Sequence, residues 1–501
     1  MSAPDTLTLA SLRTTAFAPG QLGVLGDPIA HSLSPAMHNA ALAALVPSHP
    51  RLAGVRYHRL HVAAAELPEA LALLHAKGFA GANLTVPHKI QALTIAESLS
   101  PEARRAGSVN TLVRTPTGWA GHTTDGQGFL EALRERTGVG EFVHELTKAM
   151  ASLATGDHIT LFSSSWKDRP SPALASEMPA PVRIVDAKVP VRVLTWSWNR
   201  LEWPPVEWLA GDQDVVHSQS PMLIPTRAAQ VVTIHDLDFL KHPQQMTAEI
   251  RRDYPALARS HAARADAVMV SSRYAAAEVI RELQVDPSRV HVCSPGPPAW
   301  TATVRRARLA DAGTTPRGDH VLFVGTLSER KNLGTLLRAY RLLRERVSDP
   351  PPLVLAGHRT PAFERWAPLC DEGPLEGHVT VTGYVDTARR MDLYQHARML
   401  VLPSYEEGFG LPVLEAMACG VPVVISSRGS LPEVAGDAAA PIDADDVEGF
   451  AAAMHSLLDA NCSQAAITRG VSRAATYTWM AGAVAARQAY QSAIEVHAHR
   501  H

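Results

Sequence analysis

Two glutamates eight residues apart, Glu407 and Glu415, stand in PSYEEGFGLPVLEAMACGVPVV (403–424), with Gly408 and Gly410 between them. The segment follows an apolar run, Met399 to Leu402, and its LPVLEAMA portion reads as a buried helix. Carboxylates delivered to the carboxyl end of a strand, beside glycines that admit close approach, suit recognition of sugar hydroxyls. A bare pair of glutamates says little; its setting carries the reading. FVGTLSERKNLGTLLRAY (323–340) places Arg330 and Lys331 between a strand ending at Gly325 and a helix expected from near Asn332. They are either solvated loop charges or a clamp for a diphosphate. In TGVGEF (137–142), Gly138 and Gly140 stand at a helix start, where backbone N–H groups meet phosphate, and VTIHDLDF (232–239) leaves His235 and Asp236 at a strand end. A histidine in that position is also commonly structural.

A second set lies near the N-terminus. HSLSPAMHNAAL (31–42) sets the hydroxyls of Ser32 and Ser34 beside a helix start, where a carboxylate is welcome, although Ser34 and Pro35 also read as an ordinary cap. NLTVPHK (83–89) puts Lys89 just after a strand, VNTL (109–112) supplies Asn110, and TTDGQGF (123–129) puts Asp125 at another helix start. None is decisive alone.

The elements that must position these groups alternate between strand and helix patterns. GVLG (23–26), GVRYHRL (54–60) and GFAGANLTV (78–86) read as strands, with helical spacing between them, as in Ala64 to Lys77. A helix is expected from Asp125-Gly126 to about Arg136. The pattern then restarts: a Gly-rich turn, an amphipathic helix, a Gly-Asp break and a strand, followed by a Ser/Pro-rich loop from Ser163 to Pro181. Further strands are expected at 191–195, 214–217, 230–234, 267–270 and 290–293. Pro297 to Asp319 reads as a linker, and a second series follows at HVLFVG, 353–357, 378–383, 399–403 and 421–426. The expected architecture is α/β throughout, with mostly parallel sheets.

The 501 residues suggest about three domains. A net charge of -2, with dispersed basic residues, gives no reason to expect nucleic acid as a partner. Cys293, Cys370, Cys419 and Cys462 are far apart, which argues against a disulfide framework or a zinc site. No metal is expected. Without a signal-like start or an apolar run long enough to span a bilayer, the expected location is cytoplasmic, with peripheral membrane contact left open. The final HAHRH reads as a frayed tail.

Taken together and in order, GVLGDPIAHSLSPAMHNAAL, GANLTVPHK, GSVNTL and GHTTDGQGF resemble the substrate-binding domain of shikimate dehydrogenase over about 110 residues. The resemblance implies that Ser32 and Ser34 hold the carboxylate of shikimate, that Thr85, Asn110 and Asp125 bind its hydroxyls, and that Lys89 and Asp125 form an acid/base pair. Thr123 departs from the asparagine usual before Thr-Asp. No dinucleotide-binding fingerprint follows, so NADP is not expected to bind and shikimate oxidation is not expected.

Residues 137 to about 495 resemble the retaining GT-B glycosyltransferases of family 4, most specifically from Val321 to Gly436. That resemblance implies a donor site between two Rossmann-like lobes. Glu415 would take the ribose hydroxyls, Glu407 the transferred sugar, Arg330 and Lys331 the leaving diphosphate in place of a metal, His235 the sugar, and Gly138 and Gly140 the phosphates. Thr326 stands where many members carry an arginine. Members begin with a strand before the Gly-rich turn; here LEALRER (130–136) occupies its place, so a first lobe without its central strand is expected. The expected domains are therefore 1–136, 137–300, 301–480 and a C-terminal helix and tail, 481–501. The expected function is transfer of a hexose, of mannose or glucose type, from a nucleotide-sugar to a glycan or lipid-linked acceptor, without cofactor. The alternative is a shikimate-binding or shikimate dehydrogenase-related protein with an inactive transferase half.

Overall fold

The computed structural model describes the chain except residues 1–5, 30–33, 48, 86, 101–102, 105–108, 123–137, 154, 165–173, 175–176, 180–181, 190, 242–247, 311–318 and 501. Two compact units emerge, Met1–Arg134 and Glu135–His501. Short helical turns are left unnumbered below.

The first unit runs β1 (Leu7–Thr8), α1 (Leu9–Thr14), β2 (Leu22–Gly26), α2 (Ser34–Leu45), β3 (Tyr57–His61), α3 (Leu67–Ala76), β4 (Gly81–Leu84), α4 (His88–Ile95), β5 (Ser98–Leu99), β6 (Thr111–Arg114) and β7 (Trp119–His122). Its seven-stranded sheet has the order β1-β3-β2-β4-β6-β7-β5, parallel except where β6 pairs β4 and β7. The spacing of Leu67, Ala70, Leu71 and Leu74 makes one buried face on α3, and these side chains share a core with Leu25, Leu60, Phe79 and Leu84. The helix expected from Asp125 lies outside the described residues.

The second unit begins with α5 (Gly138–Ala151), β8 (Thr160–Ser163), β9 (Arg183–Asp186), α6 (Val191–Leu201), β10 (Val215–Ser218), β11 (Ala229–Thr233), α7 (Ala248–Arg264), β12 (Ala267–Val270), α8 (Arg273–Leu283) and β13 (Val290–Val292). These strands form two separate parallel sheets, β10-β11-β12-β13 and β8-β9, and no strand joins them among the described residues. One expectation is corrected here. The strand expected at 191–195 is the start of α6: VRVLT alternates, but Leu194 is buried and Trp198, one turn on, is half-buried, while Thr195, Trp196 and Arg200 face outward. The strand lies just before it, at RIVD.

The chain continues with α9 (Trp300–Ala310), β14 (His320–Val324), α10 (Leu333–Arg346), β15 (Leu353–Ala356), β16 (Val379–Gly383), α11 (Thr387–Gln395), β17 (Ala397–Leu402), α12 (Leu411–Ala418), β18 (Val423–Ile425), α13 (Leu431–Ala435), α14 (Val447–Ser456), α15 (Ala460–Ala474) and α16 (Trp479–Arg500). The all-parallel order is β16-β15-β14-β17-β18. Central β14 is buried at all five positions, as a strand covered on both faces must be. Within the stretch expected to be a linker, α9 buries Thr301 and Val304, and Arg308 donates to the carbonyls of Tyr394 and Ala397 at 3.1 and 3.0 Å, capping the end of α11.

The C-terminus is also corrected. α16 continues to Arg500, packs its buried Ala483, Ala486, Ala489 and Ala493 in one core with Phe142, Val231 and Met269, and ends with Arg500 3.0 Å from Asp266. Small side chains on this face let the helix approach the sheet closely, so its last turn is held rather than frayed. No helix among the described residues is long and apolar enough to cross a membrane.

Candidate functional site

In the five-stranded sheet, the chain leaves β14 towards β15 on one side and β17 towards β18 on the other. The carboxyl ends of β14 and β17 therefore border a crevice, the usual ligand position in an open parallel sheet. After β14, residues 329–331 make one tight turn and Asn332 adopts a left-handed conformation, φ 52° and ψ 46°. Its buried side chain donates to the carbonyls of Pro403 and Ala444, at 3.1 and 2.7 Å, tying this turn to the loop after β17.

That tie brings the charged groups together. Lys331 Nζ lies 2.5 Å from Glu407 Oε1, which also accepts from Ser404 Oγ at 2.7 Å, and an Arg330 nitrogen stands 3.4 Å from Glu407 Oε2. Arg330 also donates to the Glu406 carbonyl at 2.7 Å and reaches Asp238 at 3.5 Å. Burial works against the charged form of Glu407, but Lys331 and Arg330 outweigh it and hold the carboxyl below the usual range. Glu407 is thus an anion at neutral pH, paired with both cations, while burial lowers the pKa of Lys331 against the pull of Glu407.

Glu415 occupies a different environment on α12. It is 2% exposed, and burial pushes its carboxyl up to about 7, opposed by Arg390 at 3.5 Å and reinforced by Glu141. Among the described residues its Oε2 is buried with no hydrogen-bond partner. Arg390, on α11, also pairs with Glu141 at 2.8 Å and lies over the Trp300 ring at 5.1 Å. Glu141 stands in the first turn of α5, so this pair brings the helix start that carries Gly138 and Gly140 to the carboxylate of Glu415.

The other side of the crevice comes from the ends of β11 and β12. Gly408 lies so close to the His235 carbonyl that a Cβ there would come within 1.9 Å of its oxygen, and Ser272 Oγ donates to the Gly408 carbonyl at 2.6 Å. Only glycine fits. Gly410 has φ 93° and starts α12, again a glycine position. The His235 ring packs edge-on against Phe142, burial lowers its pKa despite Asp236, and its Nε2 is buried without a hydrogen-bond partner among the described residues.

The structure therefore gathers Arg330, Lys331, Glu407, Gly408 and His235 in one cluster, and joins Glu415 to the α5 start through Arg390 and Glu141. Arg390 and Glu141 escaped the sequence reading. Arg390 sits in DTARRMDLY, where paired arginines read as solvated, and a carboxylate in a first turn reads by default as complementing the helix dipole.

In the first unit, Ser32 and Asp125 lie outside the described residues. Ser34 opens α2 after β2, and the backbones of Thr85, Lys89 and Asn110 are cross-linked: Thr85 N–H donates to Leu25, Val109 N–H to Lys89 and Leu84 N–H to Asn110, at 2.8–2.9 Å. Asn110 is buried, and its Oδ1 accepts from Thr111 Oγ1 at 2.8 Å.

Three family models match the chain: the shikimate dehydrogenase substrate binding domain over residues 24–112, Glycosyltransferase Family 4 over 136–297 and Glycosyl transferases group 1 over 310–471. The O-antigen chain mannosyltransferase B of Escherichia coli is 31% identical over 359 residues, covering 68% of this chain and 93% of that protein. The shikimate dehydrogenase (NADP(+)) of Symbiobacterium thermophilum is 42% identical over 125 residues, but the matched part spans only 40% of that enzyme and 25% of this chain. Among solved structures, sucrose-phosphate synthase from Thermosynechococcus elongatus superposes with a TM-score of 0.53 at 23% identity, over 71% of this chain and 93% of that one, a likeness of fold.

Proposed function

The chain belongs to the family 4 glycosyltransferases and carries a shikimate dehydrogenase substrate-binding domain at its N-terminal end, and on that premise we propose that it moves a hexose from a nucleotide-sugar to a glycan or lipid-linked acceptor. The observation that carries this reading is Glu407 held between Lys331, Arg330 and Ser404 at the carboxyl end of β17. As a glycosidic bond to a diphosphate breaks, negative charge builds on the leaving oxygens. Arg330 and Lys331 are preorganised cations next to that position and would stabilise the charge without a metal ion. Glu407, kept anionic, would accept from hydroxyls of the transferred sugar. Glu415 would bind the ribose hydroxyls, His235 the sugar, and the N–H groups at Gly138 and Gly140 the phosphates, with Gly408 and Gly410 admitting the ligand close to the backbone. Transfer with retention is the outcome that the family resemblance favours, and the mannosyltransferase relative supports a mannose donor.

For the first unit, Ser34, Thr85, Lys89 and Asn110 support binding of shikimate or a similar polyhydroxy acid, without hydride transfer to or from NADP. Thermal unfolding of the intact chain with GDP, UDP and ADP in turn tests the main reading. A ligand at about 100 times its dissociation constant adds roughly 2.7 kcal/mol. One nucleotide should raise Tm, in EDTA as well as in buffer. If none shifts the transition, the donor-site reading fails.

A further inference from the structure

Two adjacent arginines on α11 have opposite surroundings. Arg389 is exposed and pairs with Asp392 on its own helix. Arg390 is largely buried, and carboxylates from two other elements share its guanidinium. It donates to both oxygens of Glu141 in the first turn of α5, at 2.8 and 3.1 Å, and lies 3.5 Å from Glu415 on α12. The Trp300 ring of α9 covers a third side, 5.1 Å from the guanidinium carbon. Tyr394, one turn along α11, packs its ring against Trp300 at 5.7 Å and donates to the carbonyl of Pro412, three residues before Glu415. Protein groups alone therefore fix this cation in both position and plane.

Two tasks of the donor site meet there. A buried carboxylate that accepts from ribose hydroxyls needs a positive neighbour to stay ionised. A helix start that takes phosphate is opposed by a carboxylate in its own first turn unless that charge is neutralised. An ion pair that only tied α5 to α11 would need Glu141 alone; the second carboxylate makes the cation part of the site. We propose that Arg390 is the positioning residue of the donor site, aligning the phosphate-binding start of α5 with Glu415 and giving that carboxylate its charge partner. This rests on the reading of Glu415 and the α5 start as donor groups.

Few groups act on Glu415. Burial raises its carboxyl to about 7, Arg390 opposes the rise, Glu141 adds to it, and the Tyr394 hydroxyl opposes it. Cys419, one turn on at the end of α12, has its thiol pushed up by burial and by Glu415, with Arg308 and Arg305 of α9 opposing. Charged side chains on other elements packed against α12 are engaged elsewhere. Glu433 of α13 accepts from the N–H groups of Arg273 and Tyr274, at 2.9 and 3.0 Å, Arg473 of α15 donates to the carbonyls of Glu433 and Val434, and Arg398 of β17 to that of Leu458. Among the described residues, Arg390 is thus the cation and Glu141 the anion that act directly on Glu415. Removing one and removing the other should move the site in opposite directions.

The test is binding of GDP, UDP and ADP to the full chain, measured by calorimetry from the acid to the alkaline side of neutrality. It compares the native protein with Arg390→Gln, Arg390→Lys and Glu141→Gln. For the nucleotide that binds, Arg390→Gln should weaken affinity at neutral pH about tenfold or more, and move the midpoint of its rise with pH upward by about one pH unit or more. Glu141→Gln keeps an acceptor for the guanidinium but removes the like charge, so its midpoint should move down. Arg390→Lys keeps the charge and loses the planar fork, so its midpoint should stay near the native one while affinity stays weaker. A cooperative thermal transition certifies each variant as folded; if Arg390→Gln lacks one, Arg390→Lys and Glu141→Gln carry the test. Native affinity and midpoint in folded Arg390 variants, or a Glu141→Gln midpoint that does not fall, would overturn the inference and leave the donor site standing. No nucleotide bound by the native protein would overturn the donor-site reading, and this inference with it.

Discussion

At the scale of single residues, the two glutamates of the EEGFGLPVLE segment stand in opposite electrostatic situations although they share a loop and a helix. Glu407 is surrounded by cations and ionised; Glu415 is buried with one arginine and a second carboxylate and is half-protonated near neutrality. The sign of the resulting pH dependence is fixed. An unfolded glutamate has a pKa of 4.5 and folded Glu415 one of about 7, so between these values the folded chain holds a proton that the unfolded chain has lost. Its contribution is favourable below pH 4.5 and is withdrawn as pH rises to about 7, a change of roughly 3 kcal/mol. Glu415→Gln should flatten that part of the stability–pH curve in urea titrations; an unchanged slope would place the proton elsewhere. Ribose hydroxyls need acceptors, so nucleotide should bind more tightly as pH rises through 7 in the native protein, and without that trend in the variant, by calorimetry. Glu407→Gln tests a different role. It leaves Lys331 and Arg330 free to hold a diphosphate, so nucleotide affinity should persist while turnover falls about 100-fold or more, the scale on which preorganised charge contributes. A loss of nucleotide affinity as large as the loss of turnover would argue that Glu407 only holds the loop in shape.

At the scale of elements, the strands of the five-stranded sheet were legible to within two residues, because each is a short run rich in Val, Leu or Thr, and all but β18 end at or next to a glycine or proline. The same rule misplaced one strand in the preceding lobe. VRVLT has β-branched residues in alternation, yet its continuation into WSWNRL gives Leu194 and Trp198 a common helical face, and that wins. The turn at Glu329–Lys331 was visible as a loop before a helix, but its anchor was not. Nothing local marks Asn332 as a residue in the left-handed region whose amide bonds to two carbonyls some 70 and 110 positions away. Asn332→Gly tolerates the backbone angle but loses both hydrogen bonds; Asn332→Ala loses both and adds strain. Leaving the two buried carbonyls unpaired should cost about 1–3 kcal/mol in denaturant unfolding for glycine, and roughly 1 more for alanine. Because Arg330 and Lys331 ride on this turn, both variants should also raise the KM for the nucleotide-sugar donor. Equal stability of the two variants would show that the left-handed backbone is not what distinguishes asparagine there.

At the scale of the whole molecule, the sequence carries two motif sets that never overlap, and the structure answers with two units, Met1–Arg134 and Glu135–His501, each with its own core. What the motifs could not announce is how the second unit holds its first lobe together. Phe142 and Leu146 of α5, strands β11 and β12, and the alanine face of α16 form a single cluster, so residues more than 330 positions apart build one core. The alanine face of α16 is thus part of the lobe's core. Separate cores predict separate ligand responses. In differential scanning calorimetry, shikimate should raise only a transition belonging to residues 1–134, and the favoured nucleotide only one belonging to 135–501, each by RT ln(1 + [L]/Kd). Truncation after Thr478, which removes α16, should abolish the nucleotide-sensitive transition and leave the shikimate-sensitive one in place. If both ligands shift one common transition, the units unfold together and each ligand is linked to the stability of the whole chain. If removing α16 leaves the nucleotide response intact, the five-stranded lobe binds donor alone and the alanine-faced helix serves only the lobe it covers.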